Sequence, residues 1–375
     1  MDFRGPTTEV ELLNIHDATL DLMRSEGGVY RFPIRQLTIG NVREGQAISY
    51  RLDMESPQPA GHIQAAGSFG PVLPEDLGAT ALSGHFSVAP VDLASIRGLR
   101  GTMSANGSFE GRLMEIHAEA KTETPDFAVR RGRSTRVTAT AHSVINGLNG
   151  DVHFDSIDAH TGATTVHAMG DIAGRPKATN LEIEVRRGRA EDLLGPFLHG
   201  RAPISGDVRL HSHAYVAPST PGLKFLERLQ MTGTFEIPSE RFTDAKVEQK
   251  VSQFSRRAQG QKTSEHDVVA EVSSRVGAKV TVQDGVASTQ GLTVAMPGAW
   301  VKLRGTFSLR NGDARLLGDL HMDSDISHVT TGWKSWLLKP FAPLFHRGQK
   351  GTVVPVAITG SPHRYKVGAD LFHDK

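Results

Sequence analysis

Alternation of apolar and polar residues is the feature that most constrains this chain. From Val301 to Arg310 the odd positions Val301, Leu303, Gly305, Phe307 and Leu309 are apolar or glycine, while Lys302, Arg304, Thr306, Ser308 and Arg310 are polar. Successive side chains of a β-strand point to opposite faces, so this stretch predicts a strand buried on one side. The same period runs through Leu181, Ile183 and Val185 against Glu182, Glu184 and Arg186. It recurs in Val208 and Leu210 against Arg209, His211 and His213, and in Val137, Ala139 and Ala141 against Arg136, Thr138 and Thr140. A slip of one residue would bury Lys302 and Arg304, so the pattern also dictates which way each strand faces.

A Gly-x-Phe unit repeats within strand-like stretches, at Gly67-Ser68-Phe69, Gly84-His85-Phe86, Gly107-Ser108-Phe109, Gly233-Thr234-Phe235 and Gly305-Thr306-Phe307. Its uneven spacing argues for a repeated strand device rather than a strict solenoid. Glycine inside a strand often marks a bulge or bend, so these positions are expected to curl a long sheet. The 39 glycines and 19 prolines against 6% aromatics fit many short strands joined by turns.

Helical signals are few. Val247, Val251, Phe254 and Ala258 share a face, with Thr243 placed to cap the start and Gly260 to stop it. Ala190 to Leu198 is interrupted by Gly195 and Pro196, and Trp333 to Phe345 contains Pro340 and Pro343. Three short helices cannot cover a large sheet. A dozen inward Val, Leu and Ile side chains left wet, at roughly 1.5 to 3 kcal/mol each, would outweigh a typical stability of about 5 to 15 kcal/mol. The apolar face is therefore covered, either by the sheet folded on itself as a sandwich or by an apolar ligand in a partly open groove.

The 42 basic and 41 acidic residues nearly cancel, which disfavours a nucleic-acid partner because no broad positive field exists to hold a phosphate backbone. The absence of cysteine removes disulfides, thiolate chemistry and cysteine zinc sites, and leaves the compartment open. Met1-Asp2-Phe3-Arg4-Gly5-Pro6 is not an export signal, and no window approaches the ~20 apolar residues of a membrane span. Membrane contact is expected to be peripheral or made by a missing part.

Catalytic signatures are missing: no G-x-S-x-G, no phosphate-cradling loop, no dinucleotide fingerprint and no H-E-x-x-H. His211 and His213 share a strand face and could begin a metal site, but no third ligand is suggested by spacing. Asp323 with Asp325 and Asp155 with Asp158 sit in polar, turn-rich surroundings where solvation accounts for them. His142, His153, His160 and His167 are scattered along a polar face. No catalytic residue, metal or cofactor is expected, and the chain reads as a non-enzyme. Trp333, Trp336, Leu337, Phe341, Leu344 and Phe345 form an apolar stripe beside Lys334 and Lys339. Such a stripe suits a helix plugging the end of the sheet, or a lid in contact with lipid at a membrane interface.

Several short stretches carry a family resemblance: Pro125-Asp126-Phe127, Arg189 to Leu194, Phe242-Thr243, Ser255 to Gly260, Met296 to Ala299, Thr330 to Ser335 and Gly351 to Pro355. In this order they resemble the C-terminal region of AsmA-like proteins, which are similar to TamB and the bridge-like lipid-transfer group. The resemblance runs from about residue 80 to the end. It implies a mainly β fold, a long curved antiparallel sheet forming a groove with a few short amphipathic helices. It divides the chain into a partial N-terminal β segment over 1–80 and a groove region with capping helices over 81–375. It implies a periplasmic protein tethered to the inner membrane of a diderm bacterium, active in envelope lipid traffic, and carries over no catalytic residue. The chain departs from the family in lacking the N-terminal anchor and the first β segments, which implies a truncated or split gene, or a partner that supplies the rest. The expected partner is phospholipid, with envelope proteins as further partners. Val280, Val282, Leu292, Val294, Val301, Leu303, Phe307 and Leu309 are the expected lining of the groove. The alternative is a closed β scaffold assisting outer-membrane protein assembly.

Overall fold

The computed structural model describes residues 10–23, 29–43, 45–57, 60–198, 202, 204–242, 252, 255–256, 259, 274–323, 352–361, 364 and 366–368. The chain falls into two compact units. The first comprises Met1–Ile183, Gly195–His199 and Ala214–Phe225, and the second Glu184–Leu194, Gly200–His213 and Leu226–Lys375. The resemblance-based boundary near residue 80 lies inside the first unit, where the strands on either side pair from Ile63↔Val88 to Phe69↔Leu82.

Unit 1 is an antiparallel meander. Its strands are β1 (Val10–Met23), β2 (Val29–Val42), β3 (Ile48–Pro57), β4 (Ala60–Phe69), β5 (Ala81–Asp92) and β6 (Leu99–Arg100). They continue as β7 (Thr102–Arg112), β8 (Glu115–Val129), β9 (Thr135–Ile145), β10 (Val152–Thr161) and β11 (Thr164–Ala173). Each pairs with the next in sequence, except that β5 pairs with β7 and the two-residue β6 pairs with β8. β12 (Ala178–Arg189) and β13 (Ile204–Val216) give residues to both units. Unit 2 adds β14 (Leu229–Phe242), β15 (Ser274–Gln283), β16 (Val286–Met296), β17 (Ala299–Ser308), β18 (Ala314–Met322), β19 (Thr352–Gly360) and β20 (Lys366–Gly368), and β14 to β20 again pair antiparallel in order. The mainly β expectation is met: α1 (Ala190–Leu194) and α2 (Phe225–Arg228) are short α-helices, and Ser252, Ser255 and Arg256 are helical as well. Val247, Val251, Phe254 and Ala258, the expected apolar face of a helix there, lie outside the described residues.

Register turns alternation into rows. Ile15, Leu37, Leu52, Ala65 and Phe86 stand side by side and continue through Gly107, Ala120, Ala141, Ile157 and Ala168, ten strands in line. Their chain neighbours His16, Gln36, Asp53, Gln64, Ser87, Asn106, Lys121, Thr140, Asp158 and His167 make the matching row on the opposite face. With strands about 4.8 Å apart, each row is roughly 43 Å long.

The Gly-x-Phe units have a different use from the bends expected of them. Phe86 lies opposite Gly107 and Phe109 opposite Gly84 in unbroken register. A Cβ built on Gly107 would stand 2.8 Å from Phe86 Cε1, and one on Gly84 would stand 3.0 Å from Phe109 Cζ. The glycines are seats for rings from the neighbouring strand, and the two rings lie 6.4 Å apart, tilted by 33°. Only Gly305 fits the original expectation among these five: it has a φ of +142° and borders the register shift between Thr289 and Leu292.

Candidate functional site

Two apolar sheet faces are candidates, and they differ in burial. In unit 2 the expected lining residues do share one face. Val294 pairs with Val301 and Leu292 with Leu303, while Val280 and Val282 fall on the same side of β15 as Val276, which pairs with Val294. Phe307 follows on β17, and Lys302 and Arg304 point the other way, exposed. Leu309 is the exception: β17 ends at Ser308, and Leu309 stands in the following turn with its N–H donating to the Gly285 carbonyl at 2.9 Å. Alternation continued past Ser308 by coincidence of composition, because Arg310, Asn311 and Gly312 supply the turn.

This face is packed. Ala299, Leu303, Met322, Val354 and Val356 form one buried cluster, with Leu292, Met296 and Val301 against it. Ala190 of α1, Val208, Ile237 and Val276 form a second, joined by Leu193 of α1. Leu303 and Val282 are each only 3% exposed. A ligand reaching them would have to displace side chains already in contact.

Unit 1 presents the contrast. Every member of its ten-strand apolar row is half-buried and none belongs to the buried core. The flanking row through Met54, Ile63, Val88, Ala105, Thr122, Ala139, Ala159 and Val166 is half-buried as well. The buried apolar residues of β5 and β8, Val91, Ile116, Ala128 and Val129, are near strand ends. A second packed layer would bury the middle of the sheet first. The surface offers methyl, methylene and ring atoms, plus the Tyr50 hydroxyl, whose pKa burial pushes up. The Gly-x-Phe repeat was the available signal for this face, but only the register shows that ring and glycine meet across strands.

The polar faces carry the ionisable groups singled out in the sequence. His153 Nδ1 lies 2.7 Å from Asp171 Oδ1, with Asp155 at 3.8 Å, and His167 Nδ1 lies 2.5 Å from Asp158 Oδ1. The Asp171 hydrogen bond raises the His153 pKa, yet both side chains of the pair are about half exposed, where solvent screens the interaction. His160 contacts Thr165 across the strands, and His142 is exposed. His211 and His213 alternate on β13 with buried Ser212 and Ala214. Asp323 follows β18, its N–H donating to the Gly298 carbonyl at 2.9 Å, whereas Asp325 lies outside the described residues. Among the described residues no three of these side chains gather as a metal site.

Two concavities open on polar faces. One of about 420 Å³ in unit 1 is lined by Gln36, Arg51, Asp53, Gln64, His85 and Ser87. One of about 800 Å³ in unit 2 is rimmed by Arg186, Arg209, Arg275 and Lys279. Neither is lined by the residues expected to line the groove. The Trp333, Trp336, Leu337, Phe341, Leu344 and Phe345 stripe lies outside the described residues. No described helix is long and apolar enough to cross a membrane. Comparison with known proteins finds no matching family model, no matching curated protein and no matching solved structure.

Proposed function

We propose that this chain is a non-enzymatic cell-envelope protein that binds or conducts phospholipid, with acyl chains lying along the apolar face of unit 1. The observation that carries the reading is the ten-strand row from Ile15 to Ala168, apolar throughout and half-buried throughout. Each methylene taken out of water there contributes about 0.8 kcal/mol, so a dozen on one acyl chain contribute on the order of 10 kcal/mol before the cost of ordering the chain. The face has almost no hydrogen-bonding groups with which to read a head group. Binding follows apolar area and tolerates different lipids. The periplasmic, inner-membrane-associated setting draws on the resemblance of the short motifs to AsmA-like proteins.

The test is mass spectrometry of lipids retained after gentle purification. Wild-type chain is expected to carry phospholipid, and a folded Leu52→Asp variant at least tenfold less, because a carboxylate within the strip would have to lose its water against an acyl chain. A lipid-free wild-type chain overturns the proposal. The second reading, a closed scaffold assisting outer-membrane protein assembly, is favoured by the packed face of unit 2, where Leu303 and Val354 are each 3% exposed. A lipid-free result would leave that reading in place.

A further inference from the structure

We infer that the polar face of unit 2 holds a binding site for a soluble phosphate ester. The inference is independent of the acyl-chain reading, since it concerns another unit and a solvated face. Arg186 on β12, Arg209 on β13, and Arg275 and Lys279 on β15 converge on the concavity of about 800 Å³. All four are on the side away from the buried clusters, as their chain neighbours Val185, Val208, Val276 and Ala278 are buried.

Charge sets the ligand class. Arg186 Nε donates to Glu184 Oε1 at 3.1 Å, and Arg275 Nε lies 3.9 Å from Glu236 Oε1. Arg209 and Lys279 have no ion-pair partner among the described residues, so the lining carries two cations more than acids. A phosphate monoester carries about −1.5 to −2 charges at neutral pH and three acceptor oxygens. Arginine forks engage such oxygens in pairs.

Shape sets its size. Gly277 and Gly291 add no side chain to the lining of the concavity. Neither has a positive φ. A Cβ on Gly277 would meet only the Phe235 carbonyl oxygen at 3.5 Å, and one on Gly291 only Lys302 Cε at 3.5 Å. Crowding therefore does not require glycine at either position, unlike Gly233, whose Cβ would stand 2.4 Å from Ser212 Cβ. The volume of about 800 Å³ falls within the ~300 to 1,000 Å³ of ordinary ligand sites, far more than a bare phosphate ion fills. The ester is taken as soluble because the concavity opens on the solvated polar face of unit 2.

Isothermal titration of the full chain with glucose 6-phosphate, inorganic phosphate and glucose tests the site. Glucose 6-phosphate is expected to bind at least tenfold more tightly than either of the others. The Arg209→Gln, Lys279→Gln double variant is expected to weaken it at least tenfold, and Arg315→Gln, on the same face outside the concavity, less than twofold. Far-UV circular dichroism checks folding, and the single Arg209→Gln variant replaces the double one if that fails to fold. Undetectable glucose 6-phosphate binding at millimolar concentration, or binding unchanged by loss of both cations, overturns the inference. Flotation with phosphatidic-acid vesicles that glucose 6-phosphate cannot displace would overturn it in favour of a lipid headgroup.

Discussion

Gly107 shows how much one missing methyl group can hold in place. Its Cβ would stand 2.0 Å from the Glu119 carbonyl oxygen and 2.8 Å from the Phe86 ring, so alanine would have to move both a strand and an aromatic. Gly277 is in a strand too, yet its Cβ would make only an ordinary contact. Gly107→Ala is accordingly expected to cost about 1 to 3 kcal/mol or more, and Gly277→Ala less than about 1 kcal/mol. Urea unfolding of both variants reads the difference, and equal losses would remove the ring-seat account. The Gly-x-Phe units were visible in the sequence. Their role was not, because spacing along one strand says nothing about which residue stands opposite on the next.

β17 is the element at which sequence and structure agree most closely, and where the agreement stops is informative. Val301, Leu303 and Phe307 face the core while Lys302 and Arg304 face water, as a period of two requires. Leu303→Asp is expected to destabilise unit 2 by several kcal/mol, since its site is 3% exposed and surrounded by Leu292, Val301, Leu316 and Val356. Lys302→Ala on the opposite face is expected to stay within about 0.5 kcal/mol. Thermal melts of the two would reverse order if the strand faced the other way. α1 was legible in part: the interruption at Gly195 and Pro196 ends the helix at Leu194, and Gly195–Phe197 forms a 3-10 turn. Proline lacks the N–H that another helical turn needs, which makes this one of the few boundaries a single residue dictates.

At the scale of the whole molecule, two units built from the same alternating strands differ in what their apolar faces have left to bind. A photoreactive phenylalanine analogue at Ile157 in unit 1 is expected to crosslink phospholipid during purification from cells. The same group at Leu303 in unit 2 is expected to crosslink protein side chains instead, because packing already fills that site. Lipid adducts at Leu303 and none at Ile157 would move the acyl-binding surface to unit 2. Alternation was enough to establish strands and the facing of each, because a charge on the wrong side of a sheet is too costly to tolerate. It was enough to find Val282, Leu292, Val294, Val301 and Leu303 on one apolar face. Which face is packed and which is half-wet depended on α1 and on neighbouring rows meeting across strands far apart in sequence. The cationic concavity likewise needed β12, β13 and β15 brought together: Arg186 and Lys279 are 93 positions apart, and no local pattern places them on one rim.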